Sequence, residues 1–343
     1  MHRVSAARAC AVLTLAVALA GCWQIDDLGD LPGGAQVSEA YAINEAGDVV
    51  GYGSDGGGNR AFVWRRGIGL TPLPLPAGTA ACSAAGINDT GLVVGHCQTS
   101  GGGRKIAVVW SDGEVETVQF PGRRVLSSEL LAVNQAGDVA GSFREEMGRS
   151  FVVDIAFTWR YGSSHPVRGI TPLPTDPGGS GVARAIGPLG WIAGHAYVTP
   201  HPPWLWNPVT GRGHPVGELP APASASGEAR GINDQRQVVG VFDGRGFVWT
   251  PAGPGEVQGT TIEIPFEPYD INNRGQVVGV QGGRAVLYDL GSDRLTVLED
   301  LPEVRRAGWR RLALARAVND RGQIAGYGVN VAGDVSAFVM TPD

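Results

Sequence analysis

AINEAGDVVG, residues 42–51, decides the architecture, because the chain repeats it. It returns as GINDTGLVVG (86–95), AVNQAGDVAG (132–141), AIGPLGWIAG (185–194), GINDQRQVVG (231–240), DINNRGQVVG (270–279) and AVNDRGQIAG (317–326). The Asn position falls at 44, 88, 134, 187 (a Gly there), 233, 272 and 319, a spacing of 39 to 53 residues. That period suits one four-stranded propeller blade per unit. After each motif comes an apolar run ending in a large side chain: AFVW (61–64), AVVW (107–110), AFTW (156–159), PWLW (203–206), GFVW (246–249), AVLY (285–288) and AFVM (337–340). A Pro-terminated segment follows in six units, such as LTPLPLP (70–76) and LTVLEDLP (to residue 302). We name the four strands a to d, with a and b flanking the N-x-x-G turn.

The seventh unit ends at Asp343 without a strand d, whereas QIDDLGDLP (24–32) has the d form and precedes the first strand a. Pairing the two ends satisfies both open edges. The expected fold is all-β: a seven-bladed β-propeller of four-stranded antiparallel blades, its ring closed by the N-terminal strand.

Backbone chemistry explains the recurring residues. Asn opens a tight turn because its side chain bonds N–H groups ahead of it. The Gly three residues on takes a positive φ that costs other residues energy. Arg236 at that Gly position and Gly187 at the Asn position predict distorted turns in the fifth and fourth units. The Val-Val pairs and the repeated Trp residues read as packing between blades. The prolines of strand d read as protection of an outer edge.

The units resemble the HAF-repeat family of extracellular proteins, whose pattern is an I-N-x-x-G-x-V-V-G core, a His-Ala-Phe-x-Trp-like strand and a D-L-G-x-L-x-G segment. Ala61-Phe62-Val63-Trp64 matches the second element without its His, and Asp27-Leu28-Gly29-Asp30-Leu31-Pro32-Gly33 the third. The resemblance covers nearly all of residues 24–342. It implies an exported repeat protein and no particular reaction.

Residues 1–21 read as a signal peptide: Arg3 and Arg8 precede an apolar stretch (9–20) too short to span a bilayer. Leu19-Ala20-Gly21-Cys22 resembles the bacterial lipobox, which implies a lipid on Cys22 and a mature domain of 22–343 anchored in the cell envelope, at the outer membrane or cell surface. Ordinary cleavage after Ala18-Leu19-Ala20 is the other reading. Trp23 follows at once, so strand-like sequence begins with no linker.

The chain of 343 residues has 53 Gly, 23 Pro and a net charge of −6. Such punctuation fits short strands and tight turns. The absence of any Lys/Arg run argues against nucleic acid as a partner. Cys82 and Cys97 flank the second turn and are disulfide candidates in an oxidising compartment. An ideal ladder places them on opposite faces, and a bulge would correct this. No cofactor or metal is expected, since no CxxC, His cluster, phosphate loop or nucleophile elbow occurs.

The a–b turns are uniform, while the b–c loops vary from QGG (281–283) to SFREEMGRSFVVD (142–154) and HAYVTPHP (195–202). Variation on one face of a rigid scaffold marks a binding surface. Ligand-binding candidates are therefore Arg144, Glu145, Glu146 and Arg149 in the third loop, and His195, Tyr197, His201 and Trp204 in the fourth, with the histidines read as exposed. The expectation is a monomeric, non-enzymatic scaffold, held to the membrane by its N-terminal lipid, that binds a protein or glycan. The alternative is a propeller enzyme acting on extracellular polysaccharide, for which Glu39 and Asp270 are the clearest innermost carboxylates.

Overall fold

The structure, a computed structural model, describes residues 23–148, 151–162, 170–175, 180–197, 201–217, 219–222 and 224–343. Cys22 and Arg149 lie outside them. Seven four-stranded antiparallel sheets form a seven-bladed propeller, and in six of them the strands run a-b-c-d in chain order. The innermost a strands are Ser38–Ile43, Thr79–Ile87, Val125–Val133, Gly181–Ile186, Gly227–Ile232, Glu267–Ile271 and Trp309–Val318. Buried Val, Phe and Trp side chains from strands b and c fill the spaces between neighbouring blades.

The seventh sheet joins the chain ends. Strand Trp23–Gly29 pairs antiparallel with Val335–Pro342, from Trp23 opposite Pro342 to Gly29 opposite Ala337. The Ser336 hydroxyl donates to Asp27. The Ser38 hydroxyl donates to the Gly29 carbonyl (2.5 Å) and accepts the Ala337 N–H (2.9 Å). Leu28 and Leu31 are buried beside this seam.

The Asn turns hold the ring together as well as each hairpin. In the first unit Asn44 Oδ1 accepts the Asp48 N–H (2.8 Å), and its Nδ2 donates to the Asn88 carbonyl of the next blade (3.1 Å). The same inter-blade bond runs from Asn88 to Asn134, Asn134 to Gly187, Asn233 to Asn272, Asn272 to Asn319, and Asn319 back to Asn44. The circle lacks one link, at Gly187. A second circle lies beside it. The N–H groups of Glu45, Asp89, Asp234, Asn273 and Asp320 each donate to the side chain of the equivalent residue one blade on. It breaks where the fourth blade presents Pro188, which offers neither a side-chain acceptor nor an N–H.

Neither expected turn distortion occurs. Arg236 adopts φ 60°, as its glycine counterparts do, and its N–H bonds the Asn233 carbonyl at 2.9 Å. Its guanidinium donates to the Gly253 and Glu256 carbonyls and lies 4.8 Å from the Trp191 ring of the preceding blade, which offsets the strain. The Gly187 turn keeps its backbone bonds but loses both side-chain bonds of the Asn, to the N–H ahead in its own turn and to the next blade.

The second glycine of the motif has a different cause. A Cβ on Gly51, Gly95, Gly141, Gly194, Gly240, Gly279 or Gly326 would run into a carbonyl of the adjacent strand a in its own blade. Strands a and b approach there because each a strand carries a β-bulge, a feature that bends a strand and re-aims a side chain. The bulged residue stands three before the Asn position in all seven blades: Tyr41, Ala85, Leu131, Arg184, Arg230, Tyr269 and Arg316. In the second blade this bulge also brings Cys82 opposite Cys97, with 4.0 Å between Cα atoms, and the two are disulfide-bonded.

Most outer strands are short: Gly69–Pro72, Glu114–Thr117, Thr171–Pro172, Gly213–Pro215 and Arg294–Val297. In the sixth unit the expected strand to residue 302 stops at Val297; Leu298–Asp300 is a 3-10 turn and Pro302–Arg306 a short helix. The Pro-rich segments also receive the repeated Trp: Trp110 Nε1 donates to Pro74 (2.8 Å) and Trp206 Nε1 to Pro174 (2.9 Å), each in the preceding blade.

Candidate functional site: the bulge ring of the central channel

Every strand a runs from the face carrying the b–c loops towards the face carrying the a–b turns. Along this path the channel wall changes character. Next to the turn face it is apolar, with Ile43, Ile87, Val133, Ile186 and Ile232. One step nearer the loop face stand the seven bulge residues. They divide the channel into an apolar arc, Ala85 and Leu131, and a polar arc of Tyr41, Arg184, Arg230, Tyr269 and Arg316. The cavity they line measures about 390 Å³, within the ~300–1,000 Å³ of small-ligand pockets.

The polar arc is held by charges two residues back on the a strands. Glu228 takes Arg184 and Arg230, each at 2.6 Å, and Arg230 also reaches Glu267 at 3.3 Å. Burial alone would raise the Glu228 carboxyl, but these two guanidiniums hold it below its ordinary range. Glu39, at the equivalent place in the first blade, accepts the Tyr41 hydroxyl at 3.2 Å. Burial and the Glu39 charge push the Tyr41 and Tyr52 phenols well above their usual range. In the third blade Glu129 pairs with Lys105 at 2.7 Å.

A histidine from the preceding blade approaches two of these carboxylates. His96 Nδ1 stands 3.9 Å from Glu129, and His195 Nδ1 stands 4.0 Å from Glu228. Neither Nδ1 has a hydrogen-bond partner among the described residues. Burial, with Arg184 nearby, lowers His195 to about 4. Burial, with Lys105 nearby, lowers His96 in the same direction. Both imidazoles are therefore neutral at pH 7.

Asp270 occupies a bulge-flanking position that is Ala or Gly in the other six blades. Burial lifts its carboxyl to about 6. Its two oxygens accept the Ile271 N–H (2.9 Å) and the Val318 N–H (3.0 Å), so the group ties the sixth blade to the seventh.

The residues singled out in the sequence are placed differently from one another. Arg144, Glu145 and Glu146 lie on a strand, Asp138–Met147, of a long hairpin rather than in a loop. Each pairs within its own blade: Arg144 with Asp154 (2.9 Å), Glu145 with Arg123 (2.7 Å) and Glu146 with Arg124 (3.4 Å). His195, expected to be exposed, is 8% exposed within strand Ile192–Ala196. Trp204 is packed in the core between the third and fourth blades, so it is not displayed on a binding face. Tyr197 and His201 do face solvent, and the rings of His195, Tyr197 and His201 follow one another edge to face at 4.9 and 5.9 Å. The bulge ring itself was missed. Its signal is present in the sequence of five blades: a small-x-small stretch centred three residues before the Asn position, as in Ala40-Tyr41-Ala42 and Ala315-Arg316-Ala317, which Leu130-Leu131-Ala132 and Pro268-Tyr269-Asp270 break.

Neither a protein-family model nor a curated protein matches the chain. Solved structures do. A puromycin-hydrolyzing peptidase of Mycobacterium tuberculosis aligns at a TM-score of 0.56 with 12% identity, covering 92% of this chain and 55% of that one. A Lactobacillus plantarum protein aligns at 0.43 with 16% identity over 78% and 85%, and TolB from Acinetobacter baumannii at 0.42 with 10% over 94% and 80%. The chain thus spans about half the length of the peptidase, and at that identity the shared property is the propeller fold.

Proposed function

We propose that this chain is an exported, lipid-anchored binding propeller that takes an extracellular glycan into the loop-face mouth of its central channel. The observation that carries the reading is the bulge ring. A scaffold that repeats its turn motif in seven blades varies the side chain at this one position among Tyr, Ala, Leu and Arg and aims it into a shared cavity. Five of the chain's seven tyrosines gather at or near this mouth: Tyr41, Tyr52, Tyr197, Tyr269 and Tyr327. Tyr combines an apolar face with a hydroxyl, which suits sugar rings. Binding is favoured over hydrolysis because the channel carboxyls already have fixed partners: Tyr41 for Glu39, Lys105 for Glu129, two arginines for Glu228, and backbone N–H groups for Asp270.

The position of strand Trp23–Gly29 supports a definite orientation. Trp23 pairs with Pro342 at the turn-face end of the seventh blade. A lipid on Cys22 would therefore leave from the turn face and point the loop face away from the membrane. Exposed apolar tips on the turn face (Ile68, Leu189, Val209 and Val257) suit contact with a bilayer. The test is a glycan array and partner capture with the detergent-extracted full chain, comparing wild type with Tyr269→Ala and with Cys22→Ser. Glycan binding weakened by Tyr269→Ala, and release from the membrane fraction by Cys22→Ser, are expected. Capture of a protein with no glycan bound would replace the ligand class, and binding unmoved by Tyr269→Ala would remove the channel.

A further inference from the structure

The chain carries a net charge of −6, yet its channel gathers three guanidiniums on one arc. They are not equally compensated. Arg184 and Arg230 share Glu228, and Arg230 has Glu267 besides. Arg316 makes no ion pair or hydrogen bond among the described residues. It is held only between aromatic rings, with its guanidinium carbon 5.1 Å from the Tyr41 centroid and 4.7 Å from that of Tyr269. Tyr269 also carries Arg230 at 4.4 Å, so two cations share one ring. Asp270, next to Tyr269 in sequence, lies close enough to feel the Arg316 charge but makes no ion pair with it, since its two oxygens are turned to the Ile271 and Val318 N–H groups.

We propose that Arg316 is the centre of a carboxylate subsite for an acidic saccharide in the channel. This deepens the glycan-binding reading and rests on it. A planar guanidinium fixed by stacking presents its N–H edge in a set direction, which suits the two oxygens of a carboxylate. One guanidinium without an ion-pair partner matches a singly charged group better than a dianionic phosphate. The neighbouring phenols of Tyr41 and Tyr269 and the carboxylates Glu228 and Glu39 offer donors and acceptors to ring hydroxyls. The cavity of about 390 Å³ admits a sugar residue from the loop face.

The experiment is calorimetric titration of the full chain with short galacturonic-acid oligomers and with the same oligomers reduced at the carboxyl to neutral sugars. Wild type should prefer the acidic series by about 10- to 100-fold, the range for a charge-assisted hydrogen bond, and the preference should shrink as salt rises. Arg316→Gln should abolish the preference while leaving the neutral series bound, and Arg316→Lys should keep part of it. Thermal unfolding of both variants near the wild-type temperature separates lost binding from lost fold. Equal affinity for the two series, or an acidic preference that survives Arg316→Gln, overturns the subsite and leaves glycan binding standing. Binding of neither series, with inorganic phosphate or a protein ligand bound through Arg316 instead, overturns the saccharide assignment.

Discussion

The turn face and the bulge ring lie a few residues apart on the same strands and obey opposite rules. On the turn face six of seven blades present the same Asn, and its side chain bonds the next blade in each. At the bulge, three residues earlier, the blades present Tyr, Ala, Leu, Arg, Arg, Tyr and Arg. A position that must close a ring is repeated, because each copy makes the same bond to its neighbour. A position that points into a shared cavity is free to differ, since no blade depends on it for its own sheet. Repetition therefore marks structure in this molecule, and departure from it at one fixed register marks the channel.

The harshest way to break the ring side of the comparison is to remove its seal. Deleting residues 24–33 exposes Val335–Pro342 as an open edge and takes the buried Leu28 and Leu31 out of the core beside it. Loss of cooperative unfolding, or a fall in melting temperature of more than about 10 °C, is expected by differential scanning calorimetry. A truncated chain that melts like the full one would mean that the seventh blade does not need its fourth strand.

Acid probes the buried histidine of the fourth blade. His195 is lowered from its ordinary value of 6.5 to about 4 in the fold. The unfolded chain therefore binds its proton first as pH falls. Stability from the neutral imidazole is complete above about pH 6.5, declines as pH falls from there towards 4, and changes no further below. The whole step is worth about 3 kcal/mol for this residue. Denaturant titrations at pH 7 and pH 4.5 should show a smaller pH-dependent loss in His195→Gln than in wild type. Equal losses in the two proteins would show that Glu228 takes up the charge without cost.

Much of this was legible in the sequence for a physical reason. The turn Asn and its Gly answer to local backbone geometry, which a repeat displays seven times over, and the orphan QIDDLGDLP stood out because a ring leaves no room for an unmatched strand. The bulge was less visible. It appeared only as an off-by-one in the register of Cys82 and Cys97, since pairing across a ladder cannot be counted through an extra residue until that residue is known. The channel arginines were missed for the same reason. Without the bulge, Arg184, Arg230 and Arg316 read as exposed positions on strands of otherwise small residues. Charges such as Arg144 and Glu145, in the longest b–c segment, stand out more in the sequence, yet the structure pairs them internally. Trp204 follows a stretch rich in loop residues, yet it takes the second position of PWLW, which buried Phe62, Phe157 and Phe247 hold in other blades.

A smaller intervention tests the Asn circle directly. Asn319→Ala removes the amide that donates to the Asn44 carbonyl and the oxygen that accepts the Gln323 N–H. The site is buried, so the loss is expected at about 2 kcal/mol by denaturant titration. The seam between the seventh and first blades would weaken while the channel arc kept its ligand.

The mildest change runs in the opposite direction and restores the missing link. At Gly187 a Cβ would meet only ordinary contacts, with the Asn233 carbonyl oxygen 3.8 Å away. That carbonyl is the one to which an Asn at 187 would donate if the circle were complete. Gly187→Asn should therefore stabilise the protein by about 1 kcal/mol, through one more inter-blade hydrogen bond and a less flexible unfolded chain. Pro188 leaves the second circle broken in either case, so the gain comes from the turn at 187 and the first circle alone. If the variant were less stable than wild type, the fourth turn would have to hold Gly187 for its backbone alone, and the equivalence of the seven turns would end at that blade.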